Sequence, residues 1–316
     1  MIGRHRHCIA LEAYSREEIL EVLDLAVSMK EVLRRPIKKV PSLRGKSIVN
    51  LFFEASTRTR SSFEIAAKVL SADILNWTSA TSSTTKGETL VDTAKNLEAM
   101  KPDILIIRHA AGGAPGLVAE RVGCSVVSAG DGAHEHPTQG LLDCFTLREK
   151  LGTLEGKTVA IVGDISHSRV ARSDLHSMPK LGAKVRLCGP PTMIPAGIEK
   201  LGATVHHDLR EAVDGADAVV MLRIQHERIG DPLIPNTREY SKFWGLGVKK
   251  AEEWLKPSCV ILHPGPINRG VELAPEVADG PRSVILDQVQ NGVAVRMAVL
   301  YLLAGGKSAE GAEGKA

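Results

Sequence analysis

Aromatic side chains are scarce: three tryptophans, three tyrosines and five phenylalanines in 316 residues. Proteins that grip single-stranded nucleic acid stack bases on aromatics interleaved with cations, and that pattern is missing. Charge of one sign is short as well, with 40 Lys and Arg against 37 Asp and Glu. A net charge of +3 is too mild to coat a polyanion, yet it suits a protein that handles small anions. The five cysteines (Cys8, Cys124, Cys144, Cys188 and Cys259) form no C-x-x-C pair and no metal-type spacing, which predicts reduced, partly buried thiols. No apolar run reaches the roughly 20 residues of a membrane span. Val293 to Ala304 comes nearest and is interrupted by Arg296. The opening residues Met1-Ile-Gly-Arg-His-Arg-His7 carry charge with no apolar stretch behind them, and the expectation is a cytoplasmic chain without a secretory signal. Two phosphate grips are also missing. No G-x-x-x-x-G-K-[ST] occurs and no G-x-G-x-x-G follows either first strand, so nucleotide binding is not expected.

The residues that are present alternate between strand and helix signals. Ser15-Arg-Glu-Glu18 is a capping box that opens a helix with Ile19, Leu23, Ala26 and Val27 at the 3.6 period, closed by Pro36. Lys46 to Glu54 reads as a buried strand, followed at once by a helix toward Leu70. A polar Ser/Thr loop, Thr78 to Thr89, precedes a helix that ends before Pro102. Further strands are predicted at Asp103 to Arg108 and Ser125 to Ala129, with helices near Pro115 to Arg121 and from His136 through Leu151. The pattern restarts at Gly156, with strands there and near Lys184 to Leu187, Thr204 to His207, Ala218 to Leu222 and Cys259 to Leu262. That alternation predicts parallel α/β units in both halves. A final helix, about Val284 to Ala304, would face its core with Val289, Val293, Met297 and Leu300, and a disordered tail is expected over 306–316. The basic run Lys30 to Lys39 is expected to be a solvated helix end.

Chemistry concentrates where strands end. In Phe52-Phe-Glu-Ala-Ser-Thr-Arg-Thr-Arg60 an apolar strand gives way to hydroxyls and guanidiniums at a helix start, which is how an anion site is built from free N–H groups, the helix dipole and forked donors. A solvated cap with surface arginines would read the same way, because capping needs only one hydroxyl. Gly163-Asp-Ile-Ser-His-Ser-Arg169 offers a cation at a turn where dinucleotide folds place glycines. Arg108, His136-Pro-Thr-Gln139 and His263-Pro-Gly-Pro266 also fall at carboxyl ends of predicted strands, where open α/β sheets hold ligands. His136 before Pro137 would head a helix, though a lone histidine there is often only a cap. His134 and His136 lack a third ligand at sensible spacing, so no metal is expected. His109 and the pair His206-His207 are read as structural.

With these motifs in order, the chain resembles the carbamoyltransferase family, and within it the members whose acceptor is L-aspartate. The resemblance rests on Phe53-Glu-Ala-Ser-Thr-Arg-Thr-Arg60, Lys86-Gly-Glu-Thr89, Arg108-His109, His136-Pro-Thr-Gln139, Met221-Leu-Arg-Ile-Gln225 and His263-Pro-Gly-Pro266, and spans about residues 8 to 305. It implies two doubly wound parallel-sheet α/β domains: a carbamoyl phosphate domain over 1–151, an aspartate domain over 152–283, and a C-terminal helix, 284–305, returning to the first. It implies that carbamoyl phosphate is held by Ser56, Thr57, Arg58, Thr59, Arg108, His136 and Gln139, with the Gly265-Pro266 backbone closing over the carbamoyl group. Arg58, Thr59, Arg108 and His136 would act in catalysis. Arg169 and Arg223, with Gln225 nearby, would bind aspartate, and Lys86 would reach into a neighbouring subunit of a homotrimer. No cofactor is implied.

Ornithine carbamoyltransferases share the phosphate motifs but need an acidic or Ser-Met-Gly acceptor loop and a His-Cys-Leu-Pro segment, where this chain has Arg223 and His263-Pro-Gly-Pro266. A non-catalytic homologue is the other alternative, and retention of every charged motif position argues against it. Some details depart from the family. Thr85-Lys86 stands where many members have two lysines, either Ser82 or Ser83 could be the serine of the shared site, and Ile267-Asn-Arg269-Gly resembles forms that associate with dihydroorotase. A nucleotide-binding regulatory chain is a further possible partner by the same resemblance.

Overall fold

The computed structural model describes residues 5–78, 88–224 and 233–305. One unit takes the chain up to Leu142 and again from Gln290 onward; the other is Asp143–Val289. The first carries a four-stranded parallel sheet of β1 (Ser47–Phe52), β2 (Asp73–Thr78), β3 (Ile104–His109) and β4 (Ser125–Asp131), in the order β2-β1-β3-β4. Its helices are α1 (Arg16–Arg34), α2 (Thr57–Val69), α3 (Leu90–Ala99), α4 (Ala114–Ala119) and the start of α5 (Pro137–Leu151). The second carries a five-stranded parallel sheet of β5 (Thr158–Val162), β6 (Lys184–Cys188), β7 (Ala203–His206), β8 (Ala218–Met221) and β9 (Val260–Leu262), ordered β7-β6-β5-β8-β9. With it go α6 (Arg169–Ser177), α7 (Leu209–Val213), α8 (Thr237–Phe243), α9 (Val248–Trp254) and α10 (Pro275–Ala278). The last helix, α11 (Ile285–Leu303), passes from the second unit back into the first. Two parallel-sheet α/β domains are therefore what the chain builds, as its strand and helix alternation predicts.

Local signals explain where elements begin. The Ser15 hydroxyl accepts the Glu18 amide at 3.2 Å and the Glu18 carboxylate accepts the Ser15 amide at 2.9 Å, so the capping box opens α1 as the sequence predicts. β1 is buried from Ile48 to Phe52, the continuous pattern of a strand covered on both faces. Each sheet is also tied at its amino edge by one aspartate. Asp103 accepts the Ser47 amide and the Lys46 ammonium, both at 2.8 Å, while Asp217 accepts the Thr158 amide at 2.8 Å and the Lys256 ammonium at 2.6 Å. Burial pushes both carboxyls up, but the lysine partners and backbone donors outweigh it and hold each below the usual value.

Three elements differ from the sequence reading. β2 is not anticipated, because Asp-Ile-Leu-Asn-Trp-Thr lacks the apolar density of an interior strand; it lies at the sheet edge, and Asn76 accepts a 2.8 Å hydrogen bond from Asn50 of β1. The stripe expected on α11 is half right: Met297 and Leu300 are buried and Val293 partly so. Val289 is half exposed, while Ala294, Val295, Met297, Ala298, Val299 and Leu300 are all buried, so this helix is covered on most sides rather than along one. Arg296, which breaks its apolar run, is itself buried, donating to the Ser62 hydroxyl at 2.9 Å and lying over the Phe63 ring. Lys30 is buried too, although most of the basic run that follows it is exposed. Among the described residues no helix is long and apolar enough to cross a membrane.

Candidate active site

In the first unit, β1 delivers the chain to the carboxyl edge of the sheet and α2 starts there. Ser56 is the N-cap residue of α2, yet its side chain makes no capping hydrogen bond. Ser15, Thr89 and Ser168 behave differently, each accepting an amide of its own helix. The Ser56 side chain is therefore not the cap of α2. The start of this 13-residue helix thus carries a hydroxyl not spent on capping, N–H groups that a first helical turn leaves without intrahelical acceptors, and the positive end of the helix dipole. In the same first turn Thr59 is buried and Arg58 is exposed.

Arg108 lies next door. It is the register partner of Phe52 across β1 and β3, its carbonyl accepts the Phe53 amide at 2.9 Å, and its guanidinium is held on two sides. Nη1 donates to the Ala129 carbonyl at 3.1 Å and Nε lies 3.3 Å from a Glu54 carboxylate oxygen. His136 and Gln139, both buried, head α5 after β4, and the His136 carbonyl accepts the Gln139 amide at 2.8 Å. Because β1, β3 and β4 are adjacent and parallel, Ser56, Thr57, Arg58, Thr59, Arg108, His136 and Gln139 all leave from one sheet edge. The chain runs outward to β2 on one side of β1 and to β3 and β4 on the other, so this is a topological switch point, where doubly wound sheets bind ligands.

The second unit repeats the arrangement at β5 and β8. Arg169 is the first residue of α6 and is buried, with the Ser168 hydroxyl capping the helix on the Ala171 amide at 3.1 Å. Asp164 fixes the turn between strand and helix, accepting the His167 amide at 3.2 Å and pairing with its Nδ1 at 2.9 Å. Gly163, at φ +137°, must be glycine, since a Cβ there would lie 2.9 Å from the Cβ of Leu222. Its conformation answers to the close approach of the β5 and β8 ends rather than to a dinucleotide. Arg223 follows β8 by two residues, and Gly265-Pro266, joined by a cis peptide bond, follows β9 by three. Lys86 and Gln225, with Ser82 and Ser83, lie outside the described residues.

His109 is structural, its Nδ1 accepting the Ala111 amide at 2.9 Å, and His134 pairs with Asp131 at 2.9 Å. Among the described residues no three His, Cys, Asp or Glu side chains gather as a metal site would require. Burial pushes the Cys8, Cys188 and Cys259 thiols up to about 12 and Cys124 to about 11, with Cys144 raised further, so none supplies a thiolate nucleophile near neutrality. The sequence reading missed the partners that orient this machinery. Glu54 stood inside a quoted motif, and its charge beside an arginine strand end was the available signal; Glu272 and Gln288, which hold the His263 turn, gave none.

Residues 6–149 match the family model for the aspartate/ornithine carbamoyltransferase carbamoyl-P binding domain, and residues 155–303 match that family's Asp/Orn binding domain. The aspartate carbamoyltransferase catalytic subunit of Anaeromyxobacter dehalogenans is 87% identical over 310 residues, 98% of this chain and 99% of its own. The crystal structure of aspartate transcarbamoylase from Trypanosoma cruzi in complex with carbamoyl aspartate and phosphate is 29% identical, with a TM-score of 0.85 over 93% of this chain and 94% of that one. Ornithine carbamoyltransferase from Thermus thermophilus is as similar in fold, at 30% identity and a TM-score of 0.84 over 94% of this chain and 98% of its own. Shape alone thus leaves the acceptor open, whereas close sequence identity falls on the aspartate side. The chain belongs to the aspartate/ornithine carbamoyltransferase family.

Proposed function

We propose that this chain transfers the carbamoyl group of carbamoyl phosphate to the amine of L-aspartate, giving N-carbamoyl-L-aspartate and phosphate, the committed chemistry of pyrimidine biosynthesis. The observation that carries the donor half is the start of α2, where the Ser56 hydroxyl does not cap its own helix. With Thr57, Arg58 and Thr59 it forms a phosphate cradle. Arg108, oriented by Glu54 and the Ala129 carbonyl, and His136 and Gln139 complete the set for the carbamoyl moiety. Carbamoyl phosphate brings about two negative charges and aspartate two carboxylates, and desolvating both needs several fixed cations. Arg58, Lys86, Arg108, Arg169 and Arg223 are those cations.

The neutral α-amine attacks the carbamoyl carbon, a tetrahedral intermediate forms, and phosphate leaves. Thr59, Arg108 and His136 donate to the developing oxyanion, Arg58 stabilises the departing phosphate, and the Gly265-Pro266 backbone closes over the carbamoyl group. The leaving phosphate takes the amine proton. Holding two reactants in line is worth about 7 to 11 kcal/mol of the barrier, so the chain needs no covalent intermediate. Lys86 completes the site of a neighbouring subunit, which makes a homotrimer the active unit.

Arg223 decides the acceptor, since a guanidinium attracts the aspartate carboxylates and repels the ornithine ammonium. Arg223→Ala should raise KM for aspartate at least about tenfold, the loss of a charge-assisted pair of roughly 1.5 to 3 kcal/mol, and leave KM for carbamoyl phosphate near its original value. Equal damage to both substrates in steady-state kinetics would count against this assignment.

A further inference from the structure

Beyond the groups proposed to touch substrate, the second unit contains a buried relay of hydrogen bonds that shapes the turn His263 to Asn268. Pro264 and Pro266 have no N–H, so the turn's backbone donors are those of His263, Gly265, Ile267 and Asn268. Three of the four are held by buried side chains. The Gly265 amide donates to His263 Nδ1 at 2.8 Å, the Asn268 amide to Glu272 Oε1 at 2.5 Å, and the His263 amide to Gln288 Oε1 at 2.9 Å. Gln288 is anchored in turn by its Nε2, which donates to Asp143 at 2.6 Å. An amide can only donate, so Nδ1 of His263 must be the accepting nitrogen and the ring proton sits on Nε2, which lies 3.2 Å from the same Glu272 Oε1. One carboxylate oxygen therefore fixes both ends of the turn, Asn268 directly and Gly265 through the imidazole.

The cost of this arrangement shows what it is for. His263 and Glu272 side chains are both wholly buried, and Glu272 Oε2 has no hydrogen-bond partner among the described residues. A buried ionisable pair with a bare oxygen is poor value for stability, because the desolvation of that oxygen is not offset. We propose that Glu272 is a positioning residue for carbamoyl transfer, setting through His263 the placement of the Gly265-Pro266 backbone. This rests on the reading that the Gly265-Pro266 backbone closes over the carbamoyl group; Glu272, wholly buried, acts on that backbone through the turn.

Steady-state kinetics with carbamoyl phosphate and aspartate, together with titration by inorganic phosphate, test the proposal on Glu272→Ala and Glu272→Gln in the full chain. A misplacement of ~1 Å costs about a hundredfold, so Glu272→Ala should lose about ten- to a hundredfold in kcat while phosphate, held in the other unit, binds as before. Glu272→Gln keeps an Oε1 acceptor for both donors and should recover most of the rate, a rescue that a merely space-filling role would not require. If the alanine variant does not fold, Glu272→Asp, one methylene too short to reach both donors, should show the same loss. A folded Glu272→Ala with unchanged kcat, or a glutamine variant as impaired as the alanine one, overturns the proposal. Gly265→Ala, strained at φ +66°, separates the two levels. If it is impaired while Glu272→Ala is not, the turn acts without Glu272; if neither is impaired, the reading of the turn itself fails.

Discussion

His136 has two features a general oxyanion donor needs: it is buried, and it heads a helix beside the edge that carries Arg108. Loss of one such donor costs about 2.7 to 4 kcal/mol. His136→Ala should therefore lower kcat by about a hundredfold or more and leave inorganic phosphate binding in place, as stopped-time product assays and phosphate titration would show; an unchanged rate would refute the role. At this scale the sequence was informative wherever a charge sits at the end of an apolar strand, as with Arg108 and Arg223. It was silent where one side chain orients another across a loop. Nothing in the spacing of His263, Glu272 and Gln288 reveals that they converge, since hydrogen bonds over such turns obey no period.

Among elements, the start of α2 is where a helix cap and the proposed phosphate site make different predictions. Ser15 caps α1 and Ser56 does not cap α2, so the same substitution should act differently at the two positions. Ser15→Ala should cost about 1 kcal/mol of stability without changing phosphate affinity. Ser56→Ala should leave the melting temperature nearly unchanged and weaken phosphate binding. Thermal melts and phosphate titration on both variants check this, and a Ser56→Ala chain that loses stability but keeps its affinity would restore the capping explanation. The interior strands were legible because continuous apolar runs bounded by polar turns leave little else for the chain to do. β2 was not, because an edge strand needs fewer apolar residues, and the α11 stripe was right only at Met297 and Leu300 because a helix covered on most sides has no single face to find.

For the whole molecule, the same device occurs twice: a parallel sheet whose central strand pair opens a switch point, with cations set just past the strand ends. Alternation of strand and helix made that class readable, and the repeated strand-end cations made the anion chemistry readable. Sharing of the site between subunits rests on Lys86 and makes a clear prediction. Chains carrying Lys86→Ala and chains carrying His136→Ala, each strongly impaired on its own, should regain part of the activity when mixed into hybrid trimers, because some interfaces then pair two intact halves. Verified hybrids with no recovery would defeat it. The central claim is the identity of the reaction, and the most direct measurement is the ureido product formed by the purified chain from carbamoyl phosphate with aspartate or ornithine in separate incubations. The account predicts N-carbamoyl-L-aspartate and phosphate in equal amounts from the first and no citrulline from the second; citrulline, or no ureido product with aspartate, would contradict it.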